Sequence, residues 1–192
     1  MGDHILFCYG TLIAPQMLHR VIHGSPNPEP WQKALIRFQP ALLHGYRRHR
    51  VRGADYPGIV AETDPKTESE SAESAVLGVL VYGLTDGDIY RLDKYEGGEY
   101  VKETVNVRAL RTSVQDGDVG GEEKVEEASS ESQLRDMLRA AGSNVADEGD
   151  EVVAATYVWI AGKERLEEEE WDFETFRRDK LAWWVGARES EW

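Results

Sequence analysis

Apolar positions recur along this chain with two periods, and the switches between them mark out its elements. From His4 to Tyr9 they alternate, with Ile5, Phe7 and Tyr9 on one face and Leu6 and Cys8 on the other, which predicts a first strand. Gly10 permits a tight turn, and Pro15 suits the first turn of a helix carrying Leu18, Val21 and Ile22 and ending at Gly24-Ser25-Pro26. Ala34 to Arg52 reads as one long strand or two shorter ones. Asp55-Tyr56-Pro57-Gly58 predicts a turn before the short strand Ile59-Val60-Ala61, and the polar stretch from Thr63 to Ser74 predicts a loop. Ala75 to Leu84 is the clearest strand. A short helix from Asp86 to Tyr95 follows, with Thr85 as N-cap, Asp88 three residues on as a weak capping box, and Gly97-Gly98 as its stop. Tyr100 to Leu110 and Val152 to Ile160 predict two more strands. A closing helix from Asp172 to Trp184 presents Phe173, Phe176, Leu181, Trp183 and Trp184 as a broad apolar side.

About six strands and three helices result, with the strands clustered more than alternating with helices. That order favours an α+β fold with a predominantly antiparallel sheet, open or closed into a barrel. The 192 residues suit one domain, spanning 1–192. Between Thr112 and Asp150 the pattern fails: 117–130 is too polar and acidic to bury, and 131–141 suits a short solvated helix. The segment reads as a mobile acidic insertion between two sheet strands.

Charge changes the picture only locally. The chain carries a net −14, but Thr112 to Glu151 holds twelve acidic residues against three basic ones, so most of the charge describes one loop. The acidic balance argues against nucleic acid or an anionic membrane as the main partner. A lone Cys8 fits a reducing compartment, and the N-terminus lacks the features of a secretory signal. No apolar run approaches the ~20 residues needed to span a bilayer. A cytoplasmic protein, monomeric by default, is expected, acting on a small molecule.

Two places can carry chemistry. A strand ending in Tyr9-Gly10-Thr11-Leu12 and leading into a helix leaves backbone N–H groups pointing outward, a nest for a carboxylate or oxyanion; an ordinary strand-to-helix turn has the same pattern. Glu96 ends a stripe with Ile89 and Leu92 on one helix face, near the negative end of the helix dipole. Desolvation there would favour its protonated form and suit it to proton exchange near neutral pH; on a frayed last turn it would instead face solvent. Glu99, just beyond, competes for the role or sits at the pocket mouth. Cys8 points away from Tyr9 and reads as a small core residue. His19 and His23 stand four apart, a spacing that can bind zinc, but no third ligand is evident and no metal is expected. Arg47, Arg48, Arg50 and Arg52 read as a solvated face pairing with acids, or as contacts to an anionic substrate. Glu167 to Glu170 reads as negative charge before the last helix, and the six tryptophans as packing.

Taken together, several motifs resemble the gamma-glutamylcyclotransferase superfamily: Tyr9-Gly10-Thr11-Leu12 after the first strand, Tyr56-Pro57-Gly58-Ile59, Gly78, and Leu92-Asp93-Lys94-Tyr95-Glu96-Gly97 with Tyr100. Tyr157-Val158-Trp159 and Trp171-Asp172-Phe173-Glu174 are similar to its plant avirulence-induced branch. The resemblance implies a compact β-barrel flanked by short helices with a cavity at one end. It implies an enzyme of the acyltransferase or lyase class that needs no cofactor, in which a substrate's α-amine attacks its own γ-glutamyl carbonyl to give 5-oxoproline and a free amine. It also implies Glu96 as the catalytic acid/base, with Tyr9, Gly10, Thr11, Leu12, Tyr56 and Tyr100 at the substrate. Two other functions fit the same residues: an isomerase, epimerase or lyase on a small metabolite, and a non-catalytic protein that binds a partner through the acidic insertion.

Overall fold

A computed structural model describes residues 2–62, 74–111, 139, 148–188 and 191. Most of the expected insertion and most of the loop from Thr63 lie outside these residues, and so does most of the partner surface read from the insertion. The strands are β1 (His4–Cys8), β2 (Arg37–His44), β3 (Tyr46–Arg50), β4 (Pro57–Ala61), β5 (Ala75–Leu84), β6 (Tyr100–Leu110) and β7 (Glu148–Trp159). The longer helices are α1 (Pro15–His23), α2 (Pro30–Lys33), α3 (Asp86–Glu96), α4 (Phe173–Asp179) and α5 (Leu181–Gly186).

Five strands close a barrel in the order β1-β5-β2-β6-β7, and β3 and β4 form a separate two-stranded sheet. Every barrel pairing is antiparallel except β1 with β7, which meet in parallel at Leu6 and Ala155. The fold is therefore α+β with a mixed, mostly antiparallel barrel. Strand alternation sorts the core into two clusters. Phe7, Leu80, Leu43, Val107 and Val158 belong to one that draws on all five barrel strands and fills the barrel. The intervening Leu6, Cys8, Val79 and Val81 belong to the other, which packs the barrel wall against Leu18 of α1, Leu92 of α3, Phe176 of α4 and Trp184 of α5.

Of the two readings of the stretch from Ala34, the structure takes two shorter strands, because Gly45, with φ 79°, turns the chain between β2 and β3. Three expectations need correction. Pro57 and Gly58 lie inside β4, where Pro57 pairs with Arg50; a proline is tolerated at the first residue of a strand. The final helix breaks at Lys180 (φ −124°, ψ −30°). Phe176 and Leu181 would stand about 140° apart on one continuous helix, and the break lets both be buried. The last strand begins at Glu148, inside the segment expected to be insertion.

Candidate functional site

The end of β1, the end of α3 and the starts of β4 and β6 meet at one place. A narrow pocket of about 30 Å3 is lined by Tyr9, Gly10, Thr11, Leu12, Tyr56, Glu96 and Tyr100, so all seven expected site residues converge. Beside it lies a wider cavity of about 250 Å3, and Thr11, Tyr56, Glu96 and Tyr100 border both.

The loop owes its shape to close packing. Gly10 has φ −127°, so no left-handed backbone demands glycine, but a Cβ there would stand 2.9 Å from both Cγ and Cδ of Pro57. Gly78 of β5 serves the same end, since a Cβ there would collide with the Cys8 carbonyl oxygen and the Phe7 ring. Ile13 and Ala14 donate their N–H groups back to Gly10 and Thr11, closing a 3-10 turn. The N–H groups of Gly10, Thr11 and Leu12 find no acceptor among the described residues, as expected at the start of a helical turn. The Tyr9 carbonyl accepts from the Arg48 guanidinium at 2.8 Å, which fixes the loop from behind.

Glu96 reaches the site because Thr85 and Asp88 start α3 with a reciprocal capping box, which sets the helix phase. In that phase Leu92 is fully buried, Ile89 is partly buried, and Glu96 lines both cavities. Burial pushes its carboxyl from 4.5 up to about 8, and no basic side chain among the described residues offsets it. Glu99 is placed differently. It accepts from Arg165 at 2.5 Å and from the Tyr56 hydroxyl at 3.1 Å, so it is held in an ion pair at the cavity edge.

Five tyrosines surround Glu96, and each hydroxyl is occupied by the scaffold. Tyr9 donates to the Tyr157 carbonyl, Tyr100 to the Pro57 carbonyl, Tyr56 to Glu99 and Tyr157 to Asp93, while Tyr95 shares a hydrogen bond with Thr11. Burial raises the Tyr9, Tyr95, Tyr100 and Tyr157 phenols well above their usual range, and Glu96 adds to each shift. These rings are neutral walls, and Glu96 is the group able to exchange a proton in the neutral range. Tyr157, Tyr95 and Trp184 escaped sequence reasoning as site residues: Trp184 read as packing, which it also does. An aromatic one residue before the Glu96 that ends the stripe was the available signal for Tyr95.

The remaining candidates settle elsewhere. Cys8 does line the narrow pocket, but burial and the nearby Glu96 raise its thiol well above the usual range, consistent with a core residue. His19 and His23 stack at 5.4 Å, and burial lowers His19 to about 4; among the described residues no group of three or more potential metal ligands forms. Arg48 and Arg50 pair with Glu170 and with Glu167 and Glu169, so the arginine run and the acidic run clasp each other. The acidic run thus pairs with β3, a role beyond the negative charge it brings before the last helix. No helix of the described residues is long and apolar enough to cross a membrane.

A family model described as "Gamma-glutamyl cyclotransferase, AIG2-like" matches residues 6–122, which include every expected site residue. Protein AIG2 C of Arabidopsis thaliana is 24% identical over 175 residues, covering 91% of this chain and 73% of that protein. Protein AIG2 B of the same plant is 32% identical over 111 residues, covering 58% of this chain and 54% of that one, so the matched region spans about half of its length. A solution structure from Arabidopsis thaliana superposes with a TM-score of 0.52 at 23% identity, covering 95% of this chain and 77% of the other, which shows a shared fold. The matched span, the barrel and the converging motifs agree, and the chain belongs to the gamma-glutamyl cyclotransferase, AIG2-like family.

Proposed function

We propose that this protein is a γ-glutamylcyclotransferase. The observation that carries the reading is the half-buried Glu96 carboxyl, which desolvation raises to about 8, lining the pocket beside a loop of unpaired backbone N–H groups. Glu96 takes a proton from the substrate's α-ammonium. The freed nitrogen attacks the γ-carbonyl carbon, and the Glu96 carboxyl gives its proton to the departing nitrogen as the C–N bond breaks. The carboxylate so regenerated takes the second proton that the ring nitrogen must shed and passes it to the amine. 5-Oxoproline and the amine, leaving as its ammonium, result, and Glu96 ends as the carboxylate it began as. Raised to about 8, the carboxyl is far closer in basicity to an α-amine than an ordinary carboxylate is, so it can take and return the proton at lower cost. The N–H groups of Gly10, Thr11 and Leu12 receive the carbonyl oxygen as it gains charge, and Tyr56 and Tyr100 wall the substrate. Nucleophile and electrophile share one molecule, so positioning supplies much of the acceleration and the chemistry asks for no cofactor.

The test is 5-oxoproline release from a panel of γ-glutamyl amines, amino acids and glutathione, with Glu96→Gln alongside. Loss of about 10²–10⁴-fold in the folded variant is expected for removal of a general acid/base. Activity retained by Glu96→Gln would sink the mechanism. Below the Glu96 pKa both partners carry their protons, so the rate should rise with pH towards about 8.

A further inference from the structure

The wider cavity differs in character from the narrow pocket. Tyr56, Tyr95, Tyr100 and Trp184 form its walls, with Tyr56 and Tyr95 edge-on to Trp184 at 6.3 and 6.5 Å. Its two acids are Glu96, which is largely protonated at neutral pH, and Glu99, whose charge is already met by Arg165. The backbone N–H groups able to receive a carboxylate or carbonyl oxygen lie on the other side, at Gly10 to Leu12.

That division orients a substrate. The glutamyl head, with its α-carboxylate and carbonyl, belongs at the N–H groups; reversed, it would leave those N–H groups unmet. Glu96 borders both spaces, so the scissile C–N bond lies at their junction, and whatever the nitrogen carries enters the wider cavity. At about 250 Å3 this space is smaller than the ~300–1,000 Å3 typical of sites for drug-sized ligands, which suits a single ring. Faces and edges of four aromatic rings favour an aromatic occupant over an aliphatic one. Because Glu99 and Arg165 already pair with each other, neither a second ammonium nor the carboxylate of a departing amino acid would find a free counter-charge in that pair.

We propose that the wider cavity is a leaving-group subsite for primary amines bearing one aromatic ring, so that the preferred substrates are γ-glutamyl arylalkylamides. This rests on the cyclotransferase reading for its turnover, but the subsite itself is a binding property. Gly98 offers a clean probe. It lines the cavity, its backbone is not left-handed, and a Cβ there meets no atom within 4 Å, so Gly98→Leu adds bulk without a clash at its Cβ.

The experiment compares kcat/KM for γ-glutamyl derivatives of 2-phenylethylamine, ethylamine, 1,5-diaminopentane and alanine, in the wild type, Gly98→Leu and Trp184→Leu. In parallel, free 2-phenylethylamine is titrated into each protein by calorimetry. The phenylethyl substrate should exceed the ethyl one on the order of tenfold or more from burial of the ring, and the ratio should collapse in Gly98→Leu. Equal rates for phenylethyl and ethyl, or preference for the diamine or alanine derivative, would overturn the subsite. If no γ-glutamyl compound turns over, the reaction reading fails and the titration decides. Binding of 2-phenylethylamine that is lost in both variants keeps the subsite, and no binding to the wild type overturns it.

Discussion

Glu96→Gln should make the protein more stable, by an amount that depends on pH. Burial raises this carboxyl from 4.5 to about 8, so between those values the folded chain keeps a proton that the unfolded chain has released. The stability contributed by the protonated carboxyl is complete below pH 4.5 and is lost as pH rises, entirely so above about 8. Each pH unit in that window removes about 1.4 kcal/mol, which amounts to about 3 kcal/mol by pH 7. Glutamine keeps the shape of the protonated acid and has no proton to lose. Urea unfolding of both proteins, followed by tryptophan fluorescence from about pH 4.5 to 8.5, gives the difference directly. Every other titrating group, including the acidic run, cancels in that difference. The two stability curves should lie at a constant offset near pH 4.5 and separate by a further ~3 kcal/mol at pH 7. A difference that stays flat across the range would mean that Glu96 ionises like a surface carboxylate, and the proton-exchange reasoning would fall with it.

Gly10→Ala should cost about 1–3 kcal/mol, because its Cβ meets the Pro57 ring at 2.9 Å and the loop must shift, lowering both Tm and kcat/KM for 5-oxoproline release. Glu99→Gln should lose far less activity than Glu96→Gln in the same assay; an equal loss would mean the acid/base role was assigned to the wrong carboxyl. Arg165→Ala removes a half-exposed ion pair and should change stability by no more than about 1 kcal/mol in urea unfolding. His19 is held neutral, with its pKa lowered from 6.5 to about 4, so its stability contribution is present above 6.5 and lost as pH falls through 4. His19→Leu should therefore lose less stability between those pH values than the wild type does.

The barrel strands were legible because each turns one face to the barrel interior, so alternation in β1 and apolar content in β5 marked them directly. Glu96 was legible for a related reason: it ends an apolar helical stripe, and of its two readings the structure takes the one that turns it inward. The separation of Glu96 from Glu99 was not, because it depends on Arg165, which is distant in sequence and meets Glu99 only once β7 has brought the chain back. The break at Lys180 was equally hidden. It answers to two burial demands, at Phe176 and Leu181, that no single helical period expresses. The specific partners of the acidic run were hidden for the same reason, since they are arginines more than a hundred residues earlier.

The parallel seam between β1 and β7 has a consequence for how the chain comes into being. A strand made at residues 4–8 waits for partners at 75–84 and then for 148–159 before its edges are covered. A ribosome will therefore have synthesised four-fifths of the sequence before the barrel closes, and must reach Trp184 before the wider cavity has its last wall. Such long-range closure folds slowly compared with local topologies. Nascent chains arrested before β7 would expose the edges of both β1 and β6, the two strands that β7 pairs with, to neighbouring polysomes. The hazard in making this protein thus lies at the gap that β7 fills, and it lasts until residue 159 has been translated.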